Sequence, residues 1–273
     1  MIRLRLFLIP LVLALLAGCT GSPKPAAAPS DAGQPAAQAD TSLAEVQKRG
    51  KLLIGMSGQY PPFAYRESDG KLVGFDVEVT AEIARRLGVV AEYVTMPFKG
   101  LMAALDAKRF DLIANQMAIT EERLQRYAFS TPYVQSASQL LVHKDNNEIK
   151  SLADVKGKTF AASQGSNYEK YLLEAGAKVE HYTSNANIYS DIAAKRIDGT
   201  MNDRLQIAYL VKTSNLPVKG VGESETKIPV ALMFRKEGST TLVEAVNKAL
   251  ADMHADGTFR RISEEWFGFD VSK

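Results

Sequence analysis

The chain has 273 residues, 46% of them hydrophobic and 23% charged, and its formal net charge is +2 at pH 7. That length allows one large domain or two smaller ones, and no basic stripe or aromatic-interleaved basic patch indicates a nucleic-acid partner. The single cysteine, Cys19, excludes an internal disulfide and a thiolate metal site, and the three histidines lack the spacing of metal ligands. We therefore expect no metal and no cofactor.

The first residues have the features of an export signal. Arg3 and Arg5 precede an apolar run over residues 6–16, which is too short to span a membrane. The run closes with LAGC, which resembles the lipobox of bacterial lipoproteins. That resemblance implies a signal peptide over residues 1–18 and a lipidated Cys19, whose acyl chains would anchor the protein to a membrane. The alternative is an ordinary secretory signal with a chance cysteine.

A linker is predicted to follow the cysteine. Residues 20–40 are rich in Ala, Pro, Gly, Ser and Gln and contain no large apolar residue, so they cannot bury a core. We predict a disordered tether over residues 19–42 and a folded part from residue 43. Without Arg3 and Arg5, the remaining Lys and Arg equal the 31 Asp and Glu, so the mature chain is close to neutral.

Strand-like and helix-like segments alternate from residue 51 onward. KLLIGM (51–56) predicts a strand, and GFDVEVTAEIARRLG (74–88) predicts a helix with apolar residues at i+4 steps. The further predicted strands cover 89–96, 110–116, 159–163, 178–183 and 197–202, and the further helices cover 101–109, 166–176, 188–196 and 203–212. The C-terminal part is helical. Such alternation is typical of parallel sheets flanked by helices.

The pattern occurs twice, which predicts two α/β lobes. KRFDLIANQ and KRIDGTMND share a helix end, a Lys-Arg pair, a strand and a polar strand end. Two extended runs, 138–144 and 229–236, are long enough to cross between lobes. We predict lobe 1 over 43–137 and 229–273 and lobe 2 over 138–228. Ligands of such sheets lie beyond the carboxyl ends of strands, so both polar strand ends would face one cleft.

GFDVEVTAEIARRL resembles the signature of the bacterial extracellular solute-binding proteins of the polar amino acid uptake class (family 3). YPPFAY, NQMAITEER, AFSTPY, NDRLQIA and SEEWFG follow in that family's order. The resemblance implies a two-lobed periplasmic-binding-protein-like fold of type II, with a mostly parallel sheet in each lobe and two crossover strands as the hinge. GSNYE (165–169) and EEWFGFDVSK are most similar to the cystine-binding members that serve ABC transporters.

The resemblance also implies how the ends of an amino acid are bound. Arg123, in the family's IT-x-x-R turn, would hold the α-carboxylate, because a planar guanidinium matches a carboxylate bidentately. The alternative is an internal pair with Glu121 or Glu122, which would be weak at the surface. Asp203 would hold the ammonium from the opposite lobe. Its alternative role is the N-cap of the helix that follows.

The remaining implied site residues would surround the ligand. Tyr60 and Phe98 match the family's aromatic walls, although either could be ordinary core. Backbone carbonyl and amide groups are expected from strand-end residues Asn115, Gln116, Met117 and Ala118, and a hydroxyl is expected from Thr120. A helix start at Gly165, Ser166 and Asn167 would add free amides that suit a carboxylate.

Two departures from the family's pattern bear on the ligand. Lys99 stands where the family commonly has an acidic residue, and Ser57 stands where binders of basic amino acids tend to have one. Both argue against lysine or arginine. L-cystine is the first expectation, with glutamine or glutamate behind it, and Lys99 leaves a dicarboxylate open.

The leading interpretation is a monomeric, lipid-anchored receptor, not an enzyme, that delivers a polar amino acid to an ABC permease. One alternative is an exported dehydratase-like enzyme on the same fold, with Asp203 or Glu169 as the general acid. Another is a sensor or surface protein that keeps the fold as a scaffold.

Overall fold

The computed structural model describes residues 40–273. The predicted signal peptide, Cys19 and nearly all of the predicted tether lie outside these residues. Asp40 accepts hydrogen bonds from the backbone N–H of Ser42 (2.8 Å) and the hydroxyl of Thr241 (3.1 Å). Asp40 and Ser42, at the end of the predicted tether, are therefore held by polar contacts with Thr241. From residue 40 onward, no helix is long and apolar enough to cross a membrane.

The regular elements follow the predicted alternation. In chain order the strands are β1 (Lys51–Met56), β2 (Gln59–Tyr60), β3 (Ala64–Arg66), β4 (Leu72–Val73), β5 (Val90–Thr95), β6 (Leu112–Ala118), β7 (Tyr127–Phe129), β8 (Val134–Ser136), β9 (Ser138–His143), β10 (Thr159–Ala162), β11 (Lys178–His181), β12 (Gly199–Asp203), β13 (Val218–Val221) and β14 (Ile228–Arg235). The helices are α1 (Ser42–Arg49), α2 (Phe75–Arg86), α3 (Phe98–Asp106), α4 (Glu121–Arg126), α5 (Asn167–Glu174), α6 (Asn185–Ala193), α7 (Arg204–Thr213), α8 (Thr240–Ala255) and α9 (Thr258–Phe267), and a 3₁₀ turn covers Leu152–Val155.

Two sheets form the centres of two lobes. The first has the order β5-β1-β6-β14-β7, with β8 also paired to β14, and the second has the order β11-β10-β12-β9-β13. In each sheet one strand runs against the others, β14 in the first and β9 in the second. This is the two-lobed, mostly parallel α/β architecture that the sequence predicts. A small third sheet, β2-β3-β4, was not predicted.

The chain passes between the two sheets twice. The first passage is at Ala137, between β8 and β9, and the second lies within residues 222–227, between β13 and β14. The two predicted crossover runs correspond to β9 and β14, which come directly after these passages. Each strand pairs within its own sheet, β9 in the second and β14 in the first. The connections themselves are therefore short.

The core of the first lobe explains the GFDVE pattern. Helix α2 buries Phe75 against the first sheet, and Phe267 of α9 packs on that ring at 5.2 Å between centroids. Gly74 begins the helix with φ +135°, and a Cβ there would lie 2.2 Å from the carbonyl oxygen of Phe63. Only glycine fits so close a backbone approach. The indole N–H of Trp266 donates to Glu78 Oε1 at 3.0 Å, which fixes α9 on this lobe.

Candidate functional site

A cavity of about 60 Å³ lies between the lobes, at the carboxyl ends of β6 and β12. The first lobe lines it with Tyr60, Phe98, Asn115, Gln116 and Arg123, and the second with Ser166, Asn167, Tyr168, Thr200 and Asn202. The repeated polar strand ends identified in the sequence thus face the same space. Parallel strands bring their carboxyl ends to one edge of a sheet, and the two sheet edges meet here.

Direct contacts hold the lobes together around the cavity. The hydroxyl of Tyr60 donates to Asn202 Oδ1 at 2.6 Å, and the side-chain N–H of Asn185 donates to the carbonyl oxygen of Gln59 at 3.3 Å. Tyr60 is buried. The structure is therefore a closed form, in which a ligand of this cavity would be enclosed by both lobes.

Arg123 brings a buried positive charge to the cavity. Its side chain lies at the start of α4, where Thr120 caps the helix by accepting the backbone N–H of Arg123 at 3.3 Å. The residue is only 8% exposed, and its Nη1 donates to the carbonyl oxygen of Ala118 at 3.0 Å. Burial lowers its pKa, but a guanidinium stays protonated in proteins.

No carboxylate of residues 40–273 lies within 4.0 Å of the Arg123 guanidinium. The alternative pair with Glu121 or Glu122 is therefore not formed in this structure. Glu122 instead lies 3.6 Å from Lys170 of the other lobe. A buried cation without an anion is costly unless a ligand supplies the charge.

Two further polar side chains in the cavity have no hydrogen-bond partner among the described residues. They are Gln116, at both Oε1 and Nε2, and Asn167, at Nδ2. Gln116 is also held at φ +49°, a strained region for a residue with a side chain. Unpaired buried amides cost about 1–3 kcal/mol each, so their presence indicates that a polar ligand completes the site.

A buried carboxylate of the first lobe holds the backbone of Gln116 by a hydrogen bond. Asp76, fully buried at the start of α2, accepts the backbone N–H of Gln116 at 3.0 Å and the hydroxyl of Tyr133 at 2.7 Å. Burial raises the pKa of Asp76 to about 7. No sequence pattern indicated that Asp76 belongs to the site, because an acid in the first turn of a helix is usually solvated.

Asp203 is buried at the N-terminus of α7 but does not line the cavity. Its Oδ1 accepts the backbone N–H of Leu205 at 2.8 Å and the hydroxyl of Ser136 at 2.7 Å. The alternative capping role is therefore present. Burial raises the pKa of Asp203 to about 6. Both of these hydrogen bonds end on Oδ1, and neither uses Oδ2.

The start of α5 requires a correction. The N–H of Gly165 donates to Glu169 Oε2 at 2.6 Å, and the N–H of Ser166 donates to the carbonyl oxygen of Ser163 at 3.1 Å. The amides of Gly165 and Ser166 are thus used inside the lobe and are not free for a ligand. Only the Asn167 end of that predicted set keeps an amide without an intrahelical partner.

The other predicted residues divide into three groups. Phe98 lines the cavity, and so does Asn115, whose Oδ1 accepts the backbone N–H of Ser57 at 2.7 Å. Met117 does not line the cavity, and its side chain packs in the core of the first lobe. Ala118 and Thr120 do not line the cavity and instead hold Arg123 in place.

Sequence reasoning missed several lining residues of the second lobe, including Tyr168, Thr183, Asn185 and Ile188. Asn202, by contrast, belongs to the second polar strand end, which the sequence predicts to face the cleft, and it lines the cavity. For metals, no group of three or more His, Cys, Asp or Glu side chains within residues 40–273 is arranged to hold an ion.

The family model described as bacterial extracellular solute-binding proteins, family 3, matches residues 52–269. The chain is 42% identical over 234 residues to the L-cystine-binding protein TcyJ of Escherichia coli K12, covering 85% of this chain and 88% of that protein. It is 45% identical over 232 residues to the L-cystine-binding protein TcyA of Bacillus subtilis 168, covering 84% and 86%.

Solved structures share the fold. The crystal structure of the ancestral amino acid-binding protein AncCDT-1, described as a precursor of cyclohexadienyl dehydratase, matches with a TM-score of 0.77 at 32% identity. The match covers 83% of this chain and 99% of that one.

Proposed function

Since the chain belongs to the bacterial extracellular solute-binding proteins of family 3, we propose that it captures a polar amino acid, L-cystine first, in the cavity between its lobes. The relatives TcyJ and TcyA are named as L-cystine-binding proteins and match over most of their length. The cavity lies between the lobes and is lined by charged and polar side chains from both, as a receptor for a small charged solute requires.

One observation carries this proposal. The Arg123 guanidinium is buried in the cavity and has no carboxylate partner among residues 40–273. The α-carboxylate of an amino acid would supply the missing anion and form a bidentate, charge-assisted pair. The amide N–H at the start of α5, at Asn167, would add a second donor to the same region.

The ammonium group would be held from the second lobe by Asp203. In this structure Asp203 caps α7 through Oδ1 and does not line the cavity, so the proposed role requires Oδ2 to turn toward the ligand on binding. Tyr60 and Phe98 would enclose the ligand's side chain. Because Arg123 belongs to the first lobe and Asp203 to the second, a bound zwitterion would link the lobes and favour the closed form.

The setting we propose is outside the cytoplasm. The LAGC motif and the family's extracellular character support export and lipid anchoring through Cys19. The anchored, monomeric receptor would pass its amino acid to an ABC permease in the membrane.

Titration calorimetry tests the proposal. The purified chain, unfolded and refolded to remove carried ligand, is titrated with L-cystine, L-cysteine, glutamine, glutamate, histidine and arginine. We expect tight and selective binding of L-cystine. Selective binding of glutamine or glutamate would support the receptor function and show that L-cystine is not its ligand. Binding of none of these would overturn the receptor function.

An enzyme is the second candidate, because AncCDT-1 is described as a precursor of a dehydratase. One acid considered for catalysis, Glu169, is engaged within the second lobe, where it accepts the Gly165 N–H and contacts His181, and the other, Asp203, does not line the cavity in this structure. Incubation with cyclohexadienyl substrates, followed by absorbance of aromatic product, separates the two candidates. We expect no turnover.

A further inference from the structure

A side pocket extends the central cavity toward solvent. Pro97, Phe98, Ser163 and Thr183 line both spaces, so the two share walls contributed by both lobes. The outer part is lined in addition by Lys99, Gln164, His181 and Tyr182. A ligand that enters the cavity with one end could therefore extend its other end past the ring of Phe98.

The outer pocket carries one cation without an internal partner. His181 contacts Glu169, and the hydroxyl of Tyr182 donates to Asp191 Oδ2 at 2.6 Å, so both side chains are engaged. The Lys99 ammonium, by contrast, has no carboxylate within 4.0 Å anywhere in the described part of the chain.

The inner end of the same space has the matching arrangement. There Arg123 is buried and also lacks an internal anion. The two adjoining pockets thus each contain one cation, Arg123 in the inner pocket and Lys99 in the outer pocket, and Phe98 lines both. A ligand with a single carboxylate satisfies only one of these cations.

We propose that Lys99 binds the distal carboxylate of a ligand that carries an amino acid group at both of its ends, and so selects such ligands over single amino acids. This inference rests on the proposed function, because it assumes that Arg123 holds the first carboxylate. Binding of the first carboxylate by Arg123 does not require Lys99, so the role assigned to Lys99 is one of specificity.

The test compares two ligands in three forms of the chain. L-Cystine has carboxylates at both ends, whereas S-methyl-L-cysteine keeps one amino acid end and lacks the second carboxylate. Calorimetry measures both ligands with the unchanged chain, with Lys99→Met, and with the matched control Lys71→Met, which removes an exposed lysine of the same lobe that lines none of the described pockets.

We expect Lys99→Met to weaken L-cystine binding about fivefold, the upper range for a partly exposed ion pair. The affinity for S-methyl-L-cysteine should not change, and Lys71→Met should leave both affinities as they are. Raising the salt concentration should lower the L-cystine affinity of the unchanged chain toward that of Lys99→Met, because salt screens an exposed ion pair. Lys99→Glu should weaken L-cystine more strongly than Lys99→Met through charge repulsion.

Two results would contradict different parts of this reasoning, the role of Lys99 or the receptor function itself. Equal L-cystine affinity in the unchanged chain, Lys99→Met and Lys99→Glu would refute the role of Lys99 and leave the receptor function in place. Failure of the unchanged chain to bind either ligand would overturn the proposed function, and this inference with it.

Discussion

Replacement of Arg123 by methionine separates ligand binding from folding more sharply than any other single change. Methionine keeps an unbranched side chain of similar reach but removes the charge and all five N–H donors. Arg123 is 8% exposed and makes one side-chain hydrogen bond, to the carbonyl oxygen of Ala118. Its contribution to the ligand-free fold should therefore be small.

The size of the effect on binding follows from the burial of the cation. Removing one partner of a buried ion pair leaves the other charge uncompensated and costs about 3–5 kcal/mol. The dissociation constant should therefore rise by about two to three and a half orders of magnitude. Without ligand, the Arg123→Met variant loses one hydrogen bond but no longer buries an unpaired charge. Its free energy of unfolding should change by less than about 1 kcal/mol.

Calorimetry with L-cystine gives the affinity, and thermal unfolding with and without the ligand gives the stability. Arg126→Met is the matched control, because Arg126 lies on the same helix, is exposed, and pairs with Asp106 at 3.4 Å. We expect full affinity and full ligand stabilisation in the control. Normal L-cystine affinity in Arg123→Met would refute the assignment of the carboxylate. A large loss of ligand-free stability would show that Arg123 is structural.

Three further outcomes are expected. Tyr60→Phe removes the hydrogen bond to Asn202 that joins the lobes, so L-cystine affinity should fall about three- to tenfold, the range for one hydrogen bond, and an unchanged affinity would contradict a role in closure. Asp203→Asn keeps an oxygen that can cap α7 but removes the charge; calorimetry should show at least about tenfold weaker binding, and thermal unfolding an unchanged midpoint, whereas the reverse pair of results would leave capping as its only role. Burial raises the pKa of Asp76 from 3.8 to about 7, so the folded chain binds more protons than the unfolded chain across that window and its stability should fall as pH rises from about 4 to 7; urea unfolding at several pH values should show a shallower fall in Asp76→Asn, and an equal fall would contradict the shift.

Sequence patterns predicted the parts of the fold that repeat with a period. Strand β1 was predicted with its observed bounds, and helix α2 was predicted to within two residues at either end, because six to twelve residues are enough to show a period. The small β2-β3-β4 sheet escaped, since strands of two or three residues have no detectable alternation. Short elements are set by their neighbours in space.

The candidate site was predictable where chemistry is local and unpredictable where it depends on distant partners. Arg123 was assigned to the site through its position in the IT-x-x-R turn, and its buried side chain does line the cavity. The amides of Gly165 and Ser166 were misjudged, because side-chain and backbone acceptors nearby take them, which depends on rotamers and loop geometry. The contact of Tyr60 with Asn202 joins residues 142 positions apart, and no local pattern encodes such a pair.

The position of β14 constrains the order in which the molecule can be assembled. Strand β6 is buried along its whole length, and β14 covers one of its edges although it lies more than 100 residues later in the chain. During synthesis the first lobe therefore exposes an apolar, unpaired strand edge until residue 235 is available, whereas the strands of the second sheet arrive in one contiguous stretch. The second lobe can thus mature first, and the first lobe needs protection from aggregation until its last strand arrives.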